Sequence, residues 1–181
     1  RVFLPAARYE ASGTCPGCGE MLLNGGFEAG KTSWVEVGVD IIDNRSYPNL
    51  PIAPYAGDWL AWLGGRNNAA DRLYQDFRVP SGLSSARLRY VTYMSSAETS
   101  GIYDWMLVRL RTTSGTLIKE LDGIDNAFVP KNQWVVREMV VPELTMYQGQ
   151  NLRISFEGDT DGSSVSSFYV DEVSFQAIPP N

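Results

Sequence analysis

The sequence has 181 residues, and 15 Lys and Arg against 21 Asp and Glu give a formal net charge of −6 at pH 7, with no histidine. The absence of histidine excludes Ser-His-Asp and Cys-His catalysis and histidine-ligated zinc enzymes. The acidic balance argues against a nucleic-acid partner or an anionic membrane surface, because both need concentrated positive charge. No apolar run reaches the 18 or more residues that a membrane helix requires, so no membrane insertion is predicted.

Residues 1–20 are predicted to be a linker or N-terminal arm, because Gly and Pro interrupt any periodicity there. This segment contains Cys15-Pro16-Gly17-Cys18. A zinc site needs four ligands, and the chain has no further cysteine and no histidine to complete one. A local disulfide in a secreted protein is therefore favoured. Two free thiols, or a zinc site shared between chains, remain alternatives.

From residue 21 to residue 177, short runs rich in Val, Leu, Phe, Tyr and Trp alternate with clusters of Gly, Pro, Asn, Asp and Ser. This pattern is typical of an all-β domain. The predicted strands are 21–27, 34–43, 58–63, 73–79, 86–95, 104–113, 117–121, 134–141, 152–157 and 168–175. About ten strands without a helical period predict two packed sheets. Residues 178–181 are predicted to be a C-terminal tail or linker.

Successive residues of a strand point to opposite faces of the sheet, so the alternation predicts which side chains enter the core. Three inward-facing sets are predicted: Leu88, Tyr90 and Thr92; Met106, Val108 and Leu110; and Leu152, Ile154 and Phe156.

The outward positions include aromatic residues that could bind a sugar, since flat aromatic faces with polar neighbours suit carbohydrate rings. Trp105 and Tyr103 share a strand face with Arg109, and Tyr93 would lie beside them if the two strands pair. Trp62 is a second outward candidate. Each of these residues could instead be covered by a loop. The two roles weigh equally for Trp105, whereas covering is favoured for Trp62.

Several motifs occur along the chain in a fixed order: Leu22-Leu23-Asn24-Gly25-Gly26-Phe27-Glu28, Trp34, Tyr55-Ala56-Gly57-Asp58 with Leu63-Gly64-Gly65, and Phe168-Tyr169-Val170-Asp171-Glu172-Val173. Together they resemble the galactose-binding-like jelly-roll modules. This family includes many carbohydrate-binding modules and accessory domains of secreted bacterial glycosidases and peptidases. The resemblance implies a two-sheet β-sandwich with jelly-roll topology. It also implies an extracellular, non-catalytic module that binds a glycan or cell-surface polysaccharide and anchors attached catalytic or adhesive domains.

In that family a calcium ion commonly joins the first strand to the last. The resemblance implies Glu28 and Asp171 as calcium ligands, completed by loop carbonyls near Gly26 and Asp58. Two carboxylates and backbone carbonyls are the hard oxygen ligands that calcium takes. Alternatively, Glu28 and Asp171 are a surface acid and a turn residue, or each pairs with an arginine.

Two other functions remain open. A non-sugar structural or protein-interaction domain of a secreted peptidase or adhesin would have the same strand pattern. A glycosidase would need two carboxyl groups facing each other at about 5 to 9 Å. The acids Glu157, Asp159 and Asp161 form a cluster, but their Gly- and Ser-rich surroundings favour a solvated turn or a second cation site. No catalytic pair is predicted.

Overall fold

The computed structural model describes residues 15–46 and 50–180. Its strands are β1 Gly19–Glu20, β2 Val35–Val37, β3 Ile42–Asn44, β4 Trp59–Gly64, β5 Ala70–Arg78, β6 Ser85–Ser96, β7 Trp105–Thr112, β8 Leu117–Asp125, β9 Trp134–Val140, β10 Asn151–Asp159 and β11 Ser166–Ile178. A 3₁₀ helix, Pro142–Tyr147, precedes β10. The part of the chain described here contains no helix long and apolar enough to cross a membrane.

The strands form two antiparallel sheets that pack face to face. One sheet has the order β3-β4-β11-β6-β9, with β1 also paired to β11, and the other has the order β2-β5-β10-β7-β8. Strand β10 lies between β5 and β7, and β11 lies between β4 and β6, so the late strands insert between the early ones. This arrangement confirms the predicted all-β sandwich of the jelly-roll type.

The core lies between the two sheets and contains the residues that alternation placed there. Of the predicted inward sets, Leu88, Tyr90, Met106, Val108, Leu110, Leu152, Ile154 and Phe156 are all buried in one hydrophobic cluster. Thr92 is also buried, and its hydroxyl donates a hydrogen bond to the carbonyl of Tyr169 at 2.9 Å. The same alternation therefore determines which side chains of β7 and β10 point outward from the sandwich.

The predicted strand at 21–27 is wrong, because this segment is a series of turns held by one side chain. Asn24 adopts a left-handed conformation, with φ of 53°. Its Nδ2 donates to the carbonyls of Gly30 and Thr32, at 2.8 and 3.0 Å, and its Oδ1 accepts from the Ala29 amide at 2.9 Å. These bonds stabilise a compact loop instead of a sheet ladder. The indole of Trp34 also donates to the Asn24 carbonyl at 2.9 Å.

The predicted strand at 34–43 is two strands that belong to different sheets. Strand β2 pairs with β5, whereas β3 pairs with β4. The chain turns between them at Gly38, whose φ of +125° favours glycine and whose missing Cβ leaves room for the side chain of Asp71. Glu36 Oε1 accepts from the amides of Ile41 and Ile42, at 2.9 and 2.5 Å, and so stabilises the crossover.

The start of the described chain is fastened to its end. Cys15 and Cys18 form a disulfide, as favoured from the sequence, and Cys15 is only 8% exposed. Strand β1 follows directly and pairs with β11, with Gly19 opposite Ala177. Residues 1–14 of the predicted arm, and the last residue of the predicted tail, lie outside the described residues.

Candidate functional site

The outward side of the five-stranded sheet, which we call the open face, carries most of the exposed polar and aromatic side chains of β7 and β10. The strand register places these side chains in four rows across the sheet. The rows are Asp125, Trp105 and Asp159; Gly123, Leu107, Glu157, Arg72 and Val37; Glu120, Arg109, Ser155, Tyr74 and Val35; and Leu117, Arg111, Arg153 and Asp76.

Glu157 lies at the centre of the open face and is surrounded by donors. Its carboxylate accepts hydrogen bonds from Arg109 Nη1 at 2.8 Å and from Arg111 Nε and Nη2 at 2.6 and 2.9 Å. The hydroxyl of Ser155 donates to it at 2.7 Å. Burial favours a higher pKa for Glu157, but the bonds from Arg111, Ser155 and Arg109 outweigh it and lower the pKa to about 2. Glu157 is therefore ionised at neutral pH, and its charge holds the arginines in place.

The prediction that Glu157 belongs to a solvated turn is wrong, because β10 continues to Asp159 and buries Glu157 to 3% exposure. Asp159 belongs to the same strand and pairs with Arg72 at 3.0 Å. A glycosidase needs one carboxylic acid of raised pKa. The lowered pKa of Glu157 is the opposite of that requirement, so its place is in an ion network.

Trp105 is 39% exposed at one end of the open face, where it borders a shallow cavity of about 370 Å³. Ile102, Leu107 and Gly123 line the same cavity. A Cβ on Gly123 would lie 2.9 Å from Leu107 Cδ2, so glycine leaves this part of the cavity free of a side chain. We call Ile102, Trp105, Leu107 and Gly123 the apolar platform. Its apolar side chains suit the apolar side of a sugar ring.

The other residues predicted on the same strand face adjoin this platform. Arg109 lies on β7, two rows from Trp105, and is held by Glu157 and by Glu120 at 3.1 Å. Tyr103 precedes β7, is 46% exposed, and packs its ring where a side chain on Gly101 would lie. The structure therefore brings Trp105, Tyr103 and Arg109 to one region.

Tyr93 and Trp62 lie on the other sheet, and so they do not join Trp105. Strand β6 pairs with β9 and β11, because the chain crosses to the opposite sheet before β7 begins. Tyr93 packs edge-on against Trp134 and Tyr169, with ring centroids 5.6 and 5.7 Å apart. Trp62 stacks on Tyr169 at 5.7 Å and borders a separate cavity of about 200 Å³. The shared platform of Tyr93 and Trp105, which required the two strands to pair, is not formed.

The two predicted calcium ligands converge on one loop, although they are 143 positions apart in the sequence. Glu28 Oε1 accepts from the amides of Asp58 and Trp59, both at 3.0 Å. Asp171 Oδ2 accepts from the amide of Ala56 at 3.1 Å. The loop approaches closely because Gly57, with φ of +59°, has no side chain to overlap the Glu28 carboxylate. Both ends of the sandwich thus meet at this loop.

The oxygen atoms at this site are the type of ligand that a hard cation binds, but few of them belong to side chains. Asp171 is fully buried, and burial raises its pKa to about 6. Asp58 turns its carboxylate to Arg45 at 3.5 Å, and its carbonyl accepts from the Arg45 amide at 2.7 Å. Within residues 15–46 and 50–180, no group of three or more Cys, Asp or Glu side chains is placed to hold a metal ion. Calcium would need backbone carbonyls, such as that of Gly26, for most of its ligands.

The sequence matches no known family model, and no curated protein is significantly similar to it. Solved structures, however, share the fold. A family 61 carbohydrate-binding module in complex with β-1,4-galactotriose superposes with a TM-score of 0.60 at 12% identity, covering 87% of this chain and 98% of the module. A xylan-binding CBM22-1 domain from Paenibacillus barcinonensis Xyn10C gives 0.52 at 18% identity, covering 91% and 98%.

The fold is not confined to binding modules. A Stig cyclase from Fischerella sp. TAU gives a TM-score of 0.59 at 15% identity, covering 91% of this chain and 99% of the cyclase. At these identities the comparisons establish the fold, which is the jelly roll of the carbohydrate-binding modules. This confirms the family resemblance at the level of architecture, while the function of this chain depends on its own residues.

Proposed function

We propose that this chain is a glycan-binding module whose site is the open face. The observation that carries the proposal is the apolar platform around Trp105. It is exposed on the same sheet face as the arginine side chains of β7 and β10. A sugar ring would stack on Trp105 and Leu107, with Tyr103 at the edge. Arg109 would donate hydrogen bonds to hydroxyl groups. Its guanidinium is already oriented by Glu157 and Glu120, so little side-chain entropy is lost on binding.

The role of such a module would be to hold an attached catalytic or adhesive domain near a cell-surface polysaccharide. Tethering raises the effective concentration of the attached domain at its substrate without any new contact to it. An extracellular location would fit the disulfide of Cys15 and Cys18, because disulfides persist in oxidising compartments.

A calcium ion at Glu28 and Asp171 would have a structural role. It would neutralise the buried carboxylate of Asp171, which forms no ion pair with any described residue, and would fasten the loop around Gly57 to both ends of the sandwich. The ion would stabilise the scaffold of the open face without contacting the glycan.

The test compares Trp105→Ala with Trp62→Ala by retention on a panel of immobilised glycans. Trp62→Ala is the matched control, since it removes the same indole from the opposite sheet. We expect Trp105→Ala to abolish retention with a nearly unchanged melting temperature, because Trp105 is outside the core cluster. Loss of retention in the control alone would move the site to the other sheet. A large loss of stability in Trp105→Ala would assign Trp105 to packing.

The exposed side chains of Ile102, Tyr103 and Trp105, at 60%, 46% and 39%, also suit a protein partner. A protein-interaction domain is therefore the second candidate function. It predicts that the wild-type chain is retained by no glycan of the panel.

A further inference from the structure

The open face carries a second cavity of about 220 Å³, which lies on the same face as Trp105 but is lined by other residues of the sheet. Its polar lining consists of three guanidinium groups, one carboxylate, a phenol ring and a hydroxyl, from Arg72, Arg111, Arg153, Glu157, Tyr74 and Ser155. Three cations thus face one anion in a cavity of a chain whose net charge is −6.

The one carboxylate in the lining, that of Glu157, already accepts hydrogen bonds from neighbouring side chains. The side chain of Glu157 is buried and accepts from Arg109, Arg111 and Ser155, so it lies beneath the arginines. The side chains of Arg72 and Arg153 are 32% and 19% exposed. A solute that enters the cavity therefore meets guanidinium groups first, while the acids Asp76 and Asp159 pair with Arg153 and Arg72 at the rim.

Two guanidinium groups have donors to spare. Arg153 donates Nε and Nη2 to Asp76, at 2.7 and 3.1 Å, while its Nη1 has no acceptor among the described residues. Arg72 Nε lies 3.7 Å from Glu157, beyond hydrogen-bond distance. The acids at the rim, Asp76 and Asp159, have exposed fractions of 43% and 28%. The single contact of Arg72 with Asp159 is a partly exposed pair worth about 0–1 kcal/mol, so a ligand anion could replace it at little cost. Asp76 holds Arg153 by two bonds and need not be displaced, because Nη1 of Arg153 stays available.

The guanidinium of Arg153 is also held in a fixed plane. It lies over the ring of Tyr74, 3.7 Å from the centroid. Because Asp76 takes the edge of Nε and Nη2, the edge of Nη1 and the second N–H of Nη2 remains for a ligand. This planar, fixed fork matches the oxygens of a carboxylate or a sulfate ester, since both can accept two parallel hydrogen bonds. The cavity is thus organised for an anion before any ligand arrives.

We infer that this cavity is an anion subsite, and that the glycan bound by the open face is acidic, carrying a carboxylate or a sulfate ester. The glycan part of this inference rests on the proposed function. One neutral ring would stack on the apolar platform, and an acidic group further along the chain would enter between Arg72, Arg111 and Arg153. Trp105 and Arg111 are six residues apart on β7, a span of about 20 Å, so the ligand is an oligosaccharide and not a single sugar.

The experiment measures the binding of the full chain to three polymers: polygalacturonate, a sulfated galactan and neutral β-1,4-galactan. The variant is Arg153→Gln, and its matched control is Arg87→Gln. This control removes the same charge from β6 in the other sheet, where Arg87 makes one exposed ion pair within the described part of the chain, with Glu138 at 3.7 Å. Arg153→Lys keeps the charge but loses the fork, and melting curves verify that every variant is folded.

We expect the wild type to bind one acidic polymer at least tenfold more tightly than neutral galactan, and the preferred polymer identifies the carboxylate or the sulfate as ligand. Arg153→Gln should remove most of this preference, Arg153→Lys part of it, and Arg87→Gln none. Equal binding of acidic and neutral polymers by the wild type would overturn the anion subsite while leaving the proposed function intact. Equal losses of binding to the acidic polymer in Arg153→Gln and Arg87→Gln would also overturn it, because the preference would then come from the overall charge of the protein. No binding to any of the three polymers would overturn the acidic-glycan inference, while the glycan panel decides the proposed function separately.

Discussion

The ion network of the open face makes a prediction about stability that needs no ligand. In Glu157→Gln the side chain keeps its size but loses the charge that three arginines surround. The pKa of Glu157 falls from its ordinary value of 4.5 to about 2 in the folded protein. Each pKa unit corresponds to about 1.36 kcal/mol, so ionised Glu157 contributes about 3 kcal/mol to the free energy of unfolding at neutral pH. Removing one partner of a buried ion pair costs a similar amount, about 3–5 kcal/mol.

The pH dependence follows from the sign of this change. Because the pKa is lower in the folded state, the stabilisation is fully present above about pH 4.5 and is lost as the pH falls towards 2. Urea denaturation of the wild type and Glu157→Gln at several pH values from 7 to 2 measures it. The difference in unfolding free energy should be about 3 kcal/mol at pH 7 and should shrink as the pH approaches 2.

The control is Glu138→Gln, which removes an acid from an exposed pair with Arg87 at 3.7 Å. We expect it to change the unfolding free energy by less than about 1 kcal/mol at any pH. If Glu157→Gln is as stable as the wild type at pH 7, or if the two keep a constant difference down to pH 2, the charge of Glu157 does not stabilise the fold.

Three further predictions concern the scaffold. Adding a chelator to calcium-loaded protein should lower the melting temperature by about 5–10 °C, because saturation at a hundredfold excess over Kd stabilises by about 2.7 kcal/mol; an unchanged melting curve would remove the calcium site. Gly38→Val should lower the free energy of unfolding by more than about 2 kcal/mol in urea, since it strains a φ of +125° and crowds Asp71; near-wild-type stability would contradict the crossover geometry. Asn24→Ala should lower the free energy of unfolding by about 2–3 kcal/mol, because it removes three hydrogen bonds to the backbone. Asn67→Ala removes one exposed hydrogen bond and should lower it by under about 1 kcal/mol. Equal losses would show that the bonds of Asn24 do not stabilise the loop.

The fold was predictable where the structure depends on local alternation. The strand that begins at Trp105 was found to within one residue at each end, because its inward side is apolar and its outward side is polar. The segment 21–27 has a similar apolar content but forms turns, because the bonds of Asn24 to Gly30 and Thr32 decide its conformation. Such tertiary hydrogen bonds leave no periodic signal in the sequence.

The candidate site was predictable only within a single strand. Alternation placed Trp105 and Arg109 on one face, which needs no knowledge of strand order. The position of Tyr93 depends on which strands pair, and the chain changes sheet between β6 and β7. The buried Glu157 was missed for the same reason, since two of its partners come from β7. The pair Arg109 and Arg111, two residues apart on the outward side of that strand, was the available signal that a buried acid lies opposite.

The pairing of β1 with β11 has a mechanical consequence. Gly19 lies opposite Ala177 and Glu20 opposite Gln176, and the two strands are antiparallel, so the chain enters and leaves this ladder at the same end. A pulling force applied through both connections would act across the ladder and peel its hydrogen bonds one after another. The ladder would therefore open under a weak load before the two sheets separate.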